Sequence, residues 1–182
     1  MSSGASNSER ESEILRERAR KLASVPTAGP AEAEIVNALR FLLGAGTYAF
    51  ENLNVREVLP LPRVTPLPCV PAFVRGIINV RGRIVSILDL ERILGLPDRV
   101  TGAAASVIIL RSPDLEFGLP ADEILGHAAI PLSSFQPSLP TLTEDGARYV
   151  KGVTAEGLVL LDAAKMLADR KLLVDEAVVS TR

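Results

Sequence analysis

The side chains that most often carry out chemistry in enzymes are few in this chain. His127 is the only histidine and Cys69 the only cysteine among the 182 residues. Cys69 would act as a nucleophile only if His127 activated it from the other half of the chain, and one residue of each type cannot assemble a His/Cys metal site. We therefore expect an ordinary surface or strand histidine and a loop or partly buried structural thiol.

Three aspartates remain as candidates for acid/base chemistry. Asp89 and Asp162 each follow a strand-like apolar run and precede a short helical pattern, where a helix N-cap is needed. Their matching contexts favour capping over a catalytic pair, and Asp122 stays ambiguous. Neither a complete dinucleotide fingerprint nor a phosphate-binding loop motif is present. The sequence predicts no enzyme, cofactor or metal, with a hydrolase using these aspartates or a small-molecule-binding β barrel as the alternatives.

Basic residues beside glycines offer the chemistry of a binding surface. Arg75 precedes Gly76, and Arg81 lies between Val80 and Gly82. Glycine permits a tight turn or a close approach of two backbones, and arginine presents a planar fork of hydrogen-bond donors. Spacing alone leaves two alternatives open: the two arginines bind a partner, or they pair internally and are solvated.

Composition limits the classes of partner. The chain is 47% hydrophobic and 23% charged, as in globular proteins with a filled core, and its net charge of -2 gives no electrostatic reason to bind nucleic acid. No apolar run approaches the roughly 20 residues that span a bilayer, and the N-terminus lacks the pattern of a secretory signal. We expect a cytoplasmic protein with no nucleic-acid partner and no direct membrane insertion.

Short strand patterns separated by glycines and prolines predict a mainly all-β fold. Residues 52–57 are expected to form a bulged or helical turn, residues 90–94 and 162–170 short helices, and residues 60–71 a proline-rich loop. Many short strands without long alternating helices argue for small barrels. We predict strands at residues 35–43, 48–50, 74–80, 83–88, 106–111, 115–120, 124–130, 149–154 and 158–161.

An internal repeat organises these elements. Residues 73–90 are echoed by residues 149–162, each copy running from an aromatic residue through Val, a basic residue and Gly to a second Gly, a strand and an Asp. Residues 55–59 likewise parallel residues 121–125. Neither half has enough apolar surface for a comfortable core at roughly 65 residues, so we predict one cooperative unit of two related β units.

Three regions are predicted along the chain. Residues 1–33 are polar at first, then carry a helical pattern from Ser8 to Ala23 with a thin apolar stripe, and end in a linker with prolines and a glycine. We expect a flexible tail, a short helix and a linker there. Residues 34–170 are predicted to form the folded domain with two β subdomains, and residues 171–182 a C-terminal tail.

Together these motifs resemble the CheW-like family of chemotaxis adaptor (coupling) proteins, over residues 36–170. The resemblance implies two interlocked five-stranded SH3-like barrels with short helices, acting as a non-catalytic scaffold. The motifs that carry it are residues 48–58, 71–76, 79–82, 84–90, 107–110, 117–125 and 149–152.

The resemblance also implies partners and a binding surface. It implies an adaptor that bridges the cytoplasmic tips of methyl-accepting chemoreceptors to the regulatory domain of the histidine kinase CheA, in the cytoplasm at receptor arrays. An adaptor of another chemosensory pathway, for instance one that controls surface motility, is the alternative. The family carries an Arg at the position of Arg81 that matters for receptor coupling, and Asn52 is polar where an aliphatic residue is common. The receptor-binding residues expected from the resemblance are Asn52, Val55, Glu57, Arg75, Gly76 and Arg81.

Overall fold

The structure is a computed structural model that describes residues 34–96, 104–137 and 144–172. The helix predicted at residues 8–23, the whole segment 1–33 and the predicted C-terminal tail beyond residue 172 lie outside the described residues. The predicted division of the chain into three regions therefore stays a prediction.

Strands dominate the described residues, so the mainly all-β prediction is confirmed. Three short helices are described, α1 (Leu90–Leu94), α2 (Glu144–Ala147) and α3 (Ala163–Ala168), and 3₁₀ turns lie at Asn52–Asn54, Leu132–Ser134 and Arg170–Leu172. No helix in the described part of the chain is long and apolar enough to cross a membrane. The strands are β1 (Ile35–Leu43), β2 (Gly46–Glu51), β3 (Val55–Pro60), β4 (Val74–Val80), β5 (Arg83–Leu88), β6 (Ser106–Arg111), β7 (Glu116–Ala121), β8 (Glu123–Pro131), β9 (Phe135–Gln136), β10 (Val150–Thr154) and β11 (Leu158–Leu161).

The strands form two sheets that exchange elements between the two halves of the chain. Sheet A has the order β8-β1-β2-β11-β10-β9, and sheet B has the order β3-β6-β7-β5-β4. In each half, the first hairpin (β1–β2 or β6–β7) belongs to one sheet and the following strands belong to the other. The parallel pair β2–β11 in sheet A matches the parallel pair β5–β7 in sheet B. The two related units are therefore interlocked. Sheet B has five strands, and sheet A has five strands and the two-residue β9.

Each sheet curls into a barrel. The segment that follows the first edge strand, β3 in sheet B or β8 in sheet A, closes the barrel by pairing with β4 or β10. In sheet B, Thr65 and Ile77 exchange two backbone hydrogen bonds, with N···O distances of 2.8 and 2.9 Å. In sheet A, β9 pairs with β10 in the same way. A Cβ placed on Gly76 would lie 2.2 Å from the Thr65 carbonyl oxygen, and one on Gly152 would lie 2.9 Å from the Gln136 carbonyl oxygen. The repeated basic-residue-and-glycine pair thus marks where each barrel closes.

Gly76, one of the residues predicted for the binding surface, lies where the sheet B barrel closes. It is buried, and its φ of 139° belongs to a region that side-chain-bearing residues rarely adopt. Because its missing side chain makes room for the Thr65 backbone, Gly76 supports barrel closure, and its part in partner binding stays a prediction.

One apolar core cluster joins the two sheets. It combines Leu39 and Phe50 of sheet A with Ile108 and Phe117 of sheet B, all 0–1% exposed, and it extends to Met166 of α3. Aromatic residues are few in this chain, and three of them stack in this cluster. The Phe41 ring lies against the rings of Phe50 and Tyr48 at centroid distances of 5.4 and 5.9 Å. Each sheet also has a smaller buried cluster of its own, with Ile87 and Ile109 in sheet B and Ala49 and Leu160 in sheet A, and the shared cluster is larger than either.

The three aspartates have structural roles. Asp89 accepts a hydrogen bond from the Arg92 amide at the start of α1, and Asp162 accepts one from the Lys165 amide at the start of α3, which confirms both predicted caps. Asp122 accepts a hydrogen bond of 2.7 Å from the Gly44 amide and so holds the β1–β2 turn. Each carboxylate thus has a structural contact of its own, at the start of α1, at the start of α3 and at the β1–β2 turn.

Candidate partner-binding surface

The turn between β4 and β5 holds Arg81 in an unusual backbone conformation. Its two central residues, Arg81 and Gly82, have φ values of 52° and 86°. Positive φ at both positions is what a type I′ hairpin turn requires, and Asn-Gly is the residue pair that suits it best. The Asn79 side chain accepts a 2.8 Å hydrogen bond from the Gly82 amide and steadies the turn. The Arg81 side chain is 77% exposed, so a residue whose backbone is strained by its positive φ occupies an exposed position.

Arg81 is part of a charged cluster on sheet B, here called the Arg81 cluster, of Arg56, Glu57, Arg81, Arg83 and Glu116. Glu57 lies at its centre, 3.3 Å from a guanidinium nitrogen of Arg81, 3.1 Å from Arg83 and 3.9 Å from Arg56. Glu116 pairs with Arg83 and, at 3.5 Å, with Arg56. Three guanidinium groups and two carboxylates leave one positive charge, which favours an acidic partner.

The Arg81 cluster is assembled by β3, the β4–β5 turn, β5 and β7. A bulge in β3 sets Val55 opposite Leu110 and Glu57 opposite Ile109, which leaves Arg56 unpaired between them. The predicted bulged or helical turn at residues 52–57 is thus confirmed in both forms, as a 3₁₀ turn followed by this bulge. Bulges re-aim side chains, and here Arg56 reaches Glu116 of β7.

The carboxylates of the Arg81 cluster act on the charge of Arg83. The hydrogen bond from Arg83 to Glu116 is the largest influence, and together with attraction to Glu116 and Glu57 it outweighs desolvation, so the pKa of Arg83 is raised above its ordinary value. Arg83 remains a cation under all ordinary conditions. It therefore pairs with both Glu57 and Glu116 whether or not Arg81 is present.

The other predicted surface residues lie in two places. Val55 is half-buried and, with exposed Leu53, lines a shallow groove of about 330 Å³ beside the Arg81 cluster. Asn52 begins the 3₁₀ turn and bonds to His127. Arg75 lies instead at the other end of β4, where its Nε is 3.7 Å from the Asp89 carboxylate. The structure thus brings Glu57 and Arg81 into one cluster and sets Val55 and Asn52 next to it, apart from Arg75.

The predicted receptor-binding residues omit four contributors to this surface, two of which, Leu53 and Arg56, lie within the predicted segment 52–57. Leu53 is 89% exposed, and Arg56, Arg83 and Glu116 complete the charges around Glu57. Arg83 was visible beside the Arg81-Gly82 pair, and an apolar Leu53 between two asparagines was a readable signal. Glu116 carried no local signal, because its position depends on the register of β7.

A second polar network ties β10 to the end of α3. The Tyr149 hydroxyl donates a 2.7 Å hydrogen bond to Asp169, which also pairs with Arg148 at 2.9 Å. Burial, followed by the bond to Asp169, raises the pKa of Tyr149 to about 12. Desolvation acts to raise the pKa of Asp169, but bonds from Tyr149 and the Lys171 amide, with the charge of Arg148, outweigh it and lower that pKa. Tyr149 is 2% exposed, so this network stabilises the fold.

The remaining candidates for chemistry are dispersed. Cys69 is free and exposed in the proline-rich loop, and His127 lies exposed on β8, as an ordinary strand histidine would. Among the residues that the structure describes, no group of three or more His, Cys, Asp or Glu side chains is placed to hold a metal ion.

Comparison with known proteins identifies the family. The family model of the CheW-like domain matches residues 37–171. The chain belongs to the CheW-like family. The chemotaxis protein CheW of Treponema pallidum is 30% identical over 139 residues, covering 72% of this chain and 82% of that protein. Protein PilI of Pseudomonas aeruginosa is 31% identical, covering 76% of this chain and 78% of that protein.

A solved structure supports the same conclusion. The crystal structure of the scaffolding protein TtCheW from Thermoanaerobacter tengcongensis superposes with a TM-score of 0.60 at 26% identity, covering 69% of this chain and 88% of that one. Two SH3-like β units are therefore confirmed as the fold of this CheW-like chain.

Proposed function

We propose that this CheW-like chain is a cytoplasmic adaptor that bridges chemoreceptor tips to the regulatory domain of a CheA-type histidine kinase. Its effect is geometric: by binding both partners it holds the kinase where the receptor can control it, and no reaction takes place on the adaptor. Family membership and the names of its relatives support this role. The receptor surface is the Arg81 cluster with the adjoining segment from Asn52 to Val55.

Arg81 is the observation that carries the receptor assignment. Non-glycine residues in the left-handed region cost about 1–2 kcal/mol relative to ordinary conformations. The contact of Arg81 with Glu57, across 3.3 Å, is an exposed ion pair of the kind that contributes little to stability. Because the ion pair with Glu57 does not offset the backbone strain, Arg81 is a candidate for a functional residue.

The neighbours of Arg81 leave it available to a partner. If its guanidinium turns towards an acidic group on the receptor, Glu57 keeps Arg83 at 3.1 Å and Arg56 at 3.9 Å. No carboxylate is then left without a cation, so little internal energy opposes the exchange. Attraction between this surface and acidic groups should speed association and weaken as salt is added.

The test is assembly from three purified proteins: this chain, the CheA-type kinase and a soluble tip fragment of a chemoreceptor from the same cell. The full chain should bring receptor and kinase into one complex and make kinase activity depend on the receptor. Failure to bind the kinase or the receptor, with both partners active, would refute the proposal.

Lys165→Glu is a matched control for Arg81→Glu in this assembly. Both residues are exposed cations paired with a less exposed carboxylate, Lys165 with Asp162 at 3.8 Å, but Lys165 lies on α3, which contributes no residue to the Arg81 cluster. Arg81→Glu should lose the receptor and keep the kinase, whereas Lys165→Glu should keep the receptor.

An adaptor role in another chemosensory pathway is the second candidate. Protein FrzA of Myxococcus xanthus is 32% identical over 120 residues, covering 63% of this chain and 74% of that protein, so the chain also has relatives without the CheW name. Measuring binding to each receptor and kinase pair of the source cell decides between these pathways, because only the cognate pair should give a three-protein complex.

A further inference from the structure

The chain passes from sheet A to sheet B through a turn that has no anchor in the core. None of the three side chains of the 3₁₀ turn Asn52–Asn54 is buried. The turn is closed by one backbone hydrogen bond, from the Val55 amide to the Asn52 carbonyl. Its central residue, Leu53, is 89% exposed. A turn without buried side chains depends on its polar contacts for its position.

Asn52 supplies such a contact by bonding to the only histidine. Its Oδ1 lies 2.9 Å from Nδ1 of His127, which is 75 residues away in the chain. An amide oxygen only accepts, so Nδ1 of His127 carries the hydrogen in this pair. His127 stands on β8, opposite Leu39 of β1. The bond therefore fastens the start of the turn to sheet A, while Val55 fastens its end to sheet B.

The position of this turn sets the shape of the groove beside the Arg81 cluster. Leu53 and Val55 line one part of the groove, and Arg111 and Pro113 at the end of the β6–β7 hairpin line another. Arg56, a member of the Arg81 cluster, lines it as well. The exposed Leu53 side chain thus lies next to cations, which suits a partner segment with an apolar side chain beside acidic ones.

We propose that His127 is a positioning residue for partner binding: through Asn52 it holds the turn that presents Leu53 to the partner. This inference rests on the proposed function. It adds a residue from the far half of the chain and names the chemistry of the contact, an apolar side chain flanked by carboxylates. His127 itself does not touch the partner, so its effect passes through the position of Leu53.

Binding of the receptor tip fragment tests the inference in a set of variants of the full chain. His127→Ala should weaken binding about two- to tenfold, because it removes one hydrogen bond. His127→Gln should restore most of it, since the Gln amide can donate to Asn52. Leu53→Ala should weaken binding on the order of tenfold by removing an apolar anchor, and His127→Ala should have no further effect in that background. The melting temperature should stay nearly constant throughout.

Full binding by His127→Ala, or an effect that adds to that of Leu53→Ala, would overturn the inference. Arg81→Asn in the same series separates this failure from that of the proposed function, because full receptor binding by Arg81→Asn would refute the receptor assignment alone. Hydrogen exchange at the Val55 amide measures how firmly the turn is held when no partner is present. We expect faster exchange in His127→Ala and Asn52→Ala than in the unchanged chain, and equal rates would overturn the positioning role.

Discussion

Replacing Arg81 by Asn should weaken receptor binding and leave the stability of the fold unchanged or slightly higher. Asn tolerates the left-handed conformation that the turn imposes, and an asparagine followed by glycine is the preferred pair for a type I′ hairpin. The substitution removes the guanidinium that we assign to the receptor contact. We therefore expect a chain that folds at least as stably as before and binds the receptor much less well.

Two terms decide the change in the free energy of unfolding. Relief of the positive φ of 52° at Arg81 contributes about 1 kcal/mol. Loss of the ion pair between the 77% exposed Arg81 side chain and Glu57 subtracts about 0.2–1 kcal/mol. The net change is between about 0 and +1 kcal/mol, which corresponds to a rise of up to about 4 °C in melting temperature. Loss of an interfacial Arg anchor weakens binding by about 2 kcal/mol, roughly thirtyfold.

The assay compares thermal unfolding with calorimetric binding to the receptor tip and to the kinase. Arg81→Glu is the informative partner variant, because it keeps the backbone strain and sets a carboxylate beside Glu57, so it should lose binding and some stability. Lys165→Glu is the control that changes an equivalent charge elsewhere. Unchanged receptor binding by Arg81→Asn would refute the assignment, and a large fall in melting temperature would show that the Glu57 pair is structural.

Three further outcomes follow from the fold and its polar networks. Gly76→Ala should lower stability by about 2–4 kcal/mol in thermal or chemical unfolding, because the new Cβ meets the Thr65 carbonyl oxygen, whereas Gly82→Ala, which points into open space, should cost about 1 kcal/mol. Either half of the chain expressed alone, divided between β5 and β6, should show no cooperative unfolding by circular dichroism, since each sheet needs strands from both halves; a sharp transition would contradict the interlocking. The pKa of Tyr149 is raised from 10.0 to about 12, so its contribution to stability is present below pH 10 and is lost as the pH rises to about 12. Tyr149→Phe, which removes the bond to Asp169, should therefore lose less stability over that range than the unchanged chain, and parallel losses would contradict the effect.

Local signals explain the elements that the sequence predicts well. The bounds predicted for β4, β5, β6 and β11 and for α1 agree with the structure, because alternating apolar residues, turn glycines and capping aspartates act over a few neighbouring residues. Helix α3 ends at Ala168, earlier than the predicted residue 170, because Asp169 takes an extended conformation and bonds to Tyr149. That contact is made in space and has no counterpart in the local pattern.

The repeat predicts two related units, but it does not say which strands they share. The local sequence of a hairpin does not show which sheet the hairpin joins. The exchange of β3–β5 against β8–β11 therefore depends on packing around the core cluster that both sheets share. The same holds for Gly76, whose role depends on a carbonyl eleven residues earlier, at Thr65.

For the binding surface, the local pattern is enough to place Arg81 on a tight turn beside a glycine. It does not reveal the positive φ of Arg81, the place of Glu116 in the cluster or the bond between Asn52 and His127. Those features depend on strand register and on the curling of the sheets, which bring residues far apart in the chain within a few ångströms. Turn propensity acts through the local backbone, whereas charge clustering and side-chain pairing exist only once the whole fold has formed.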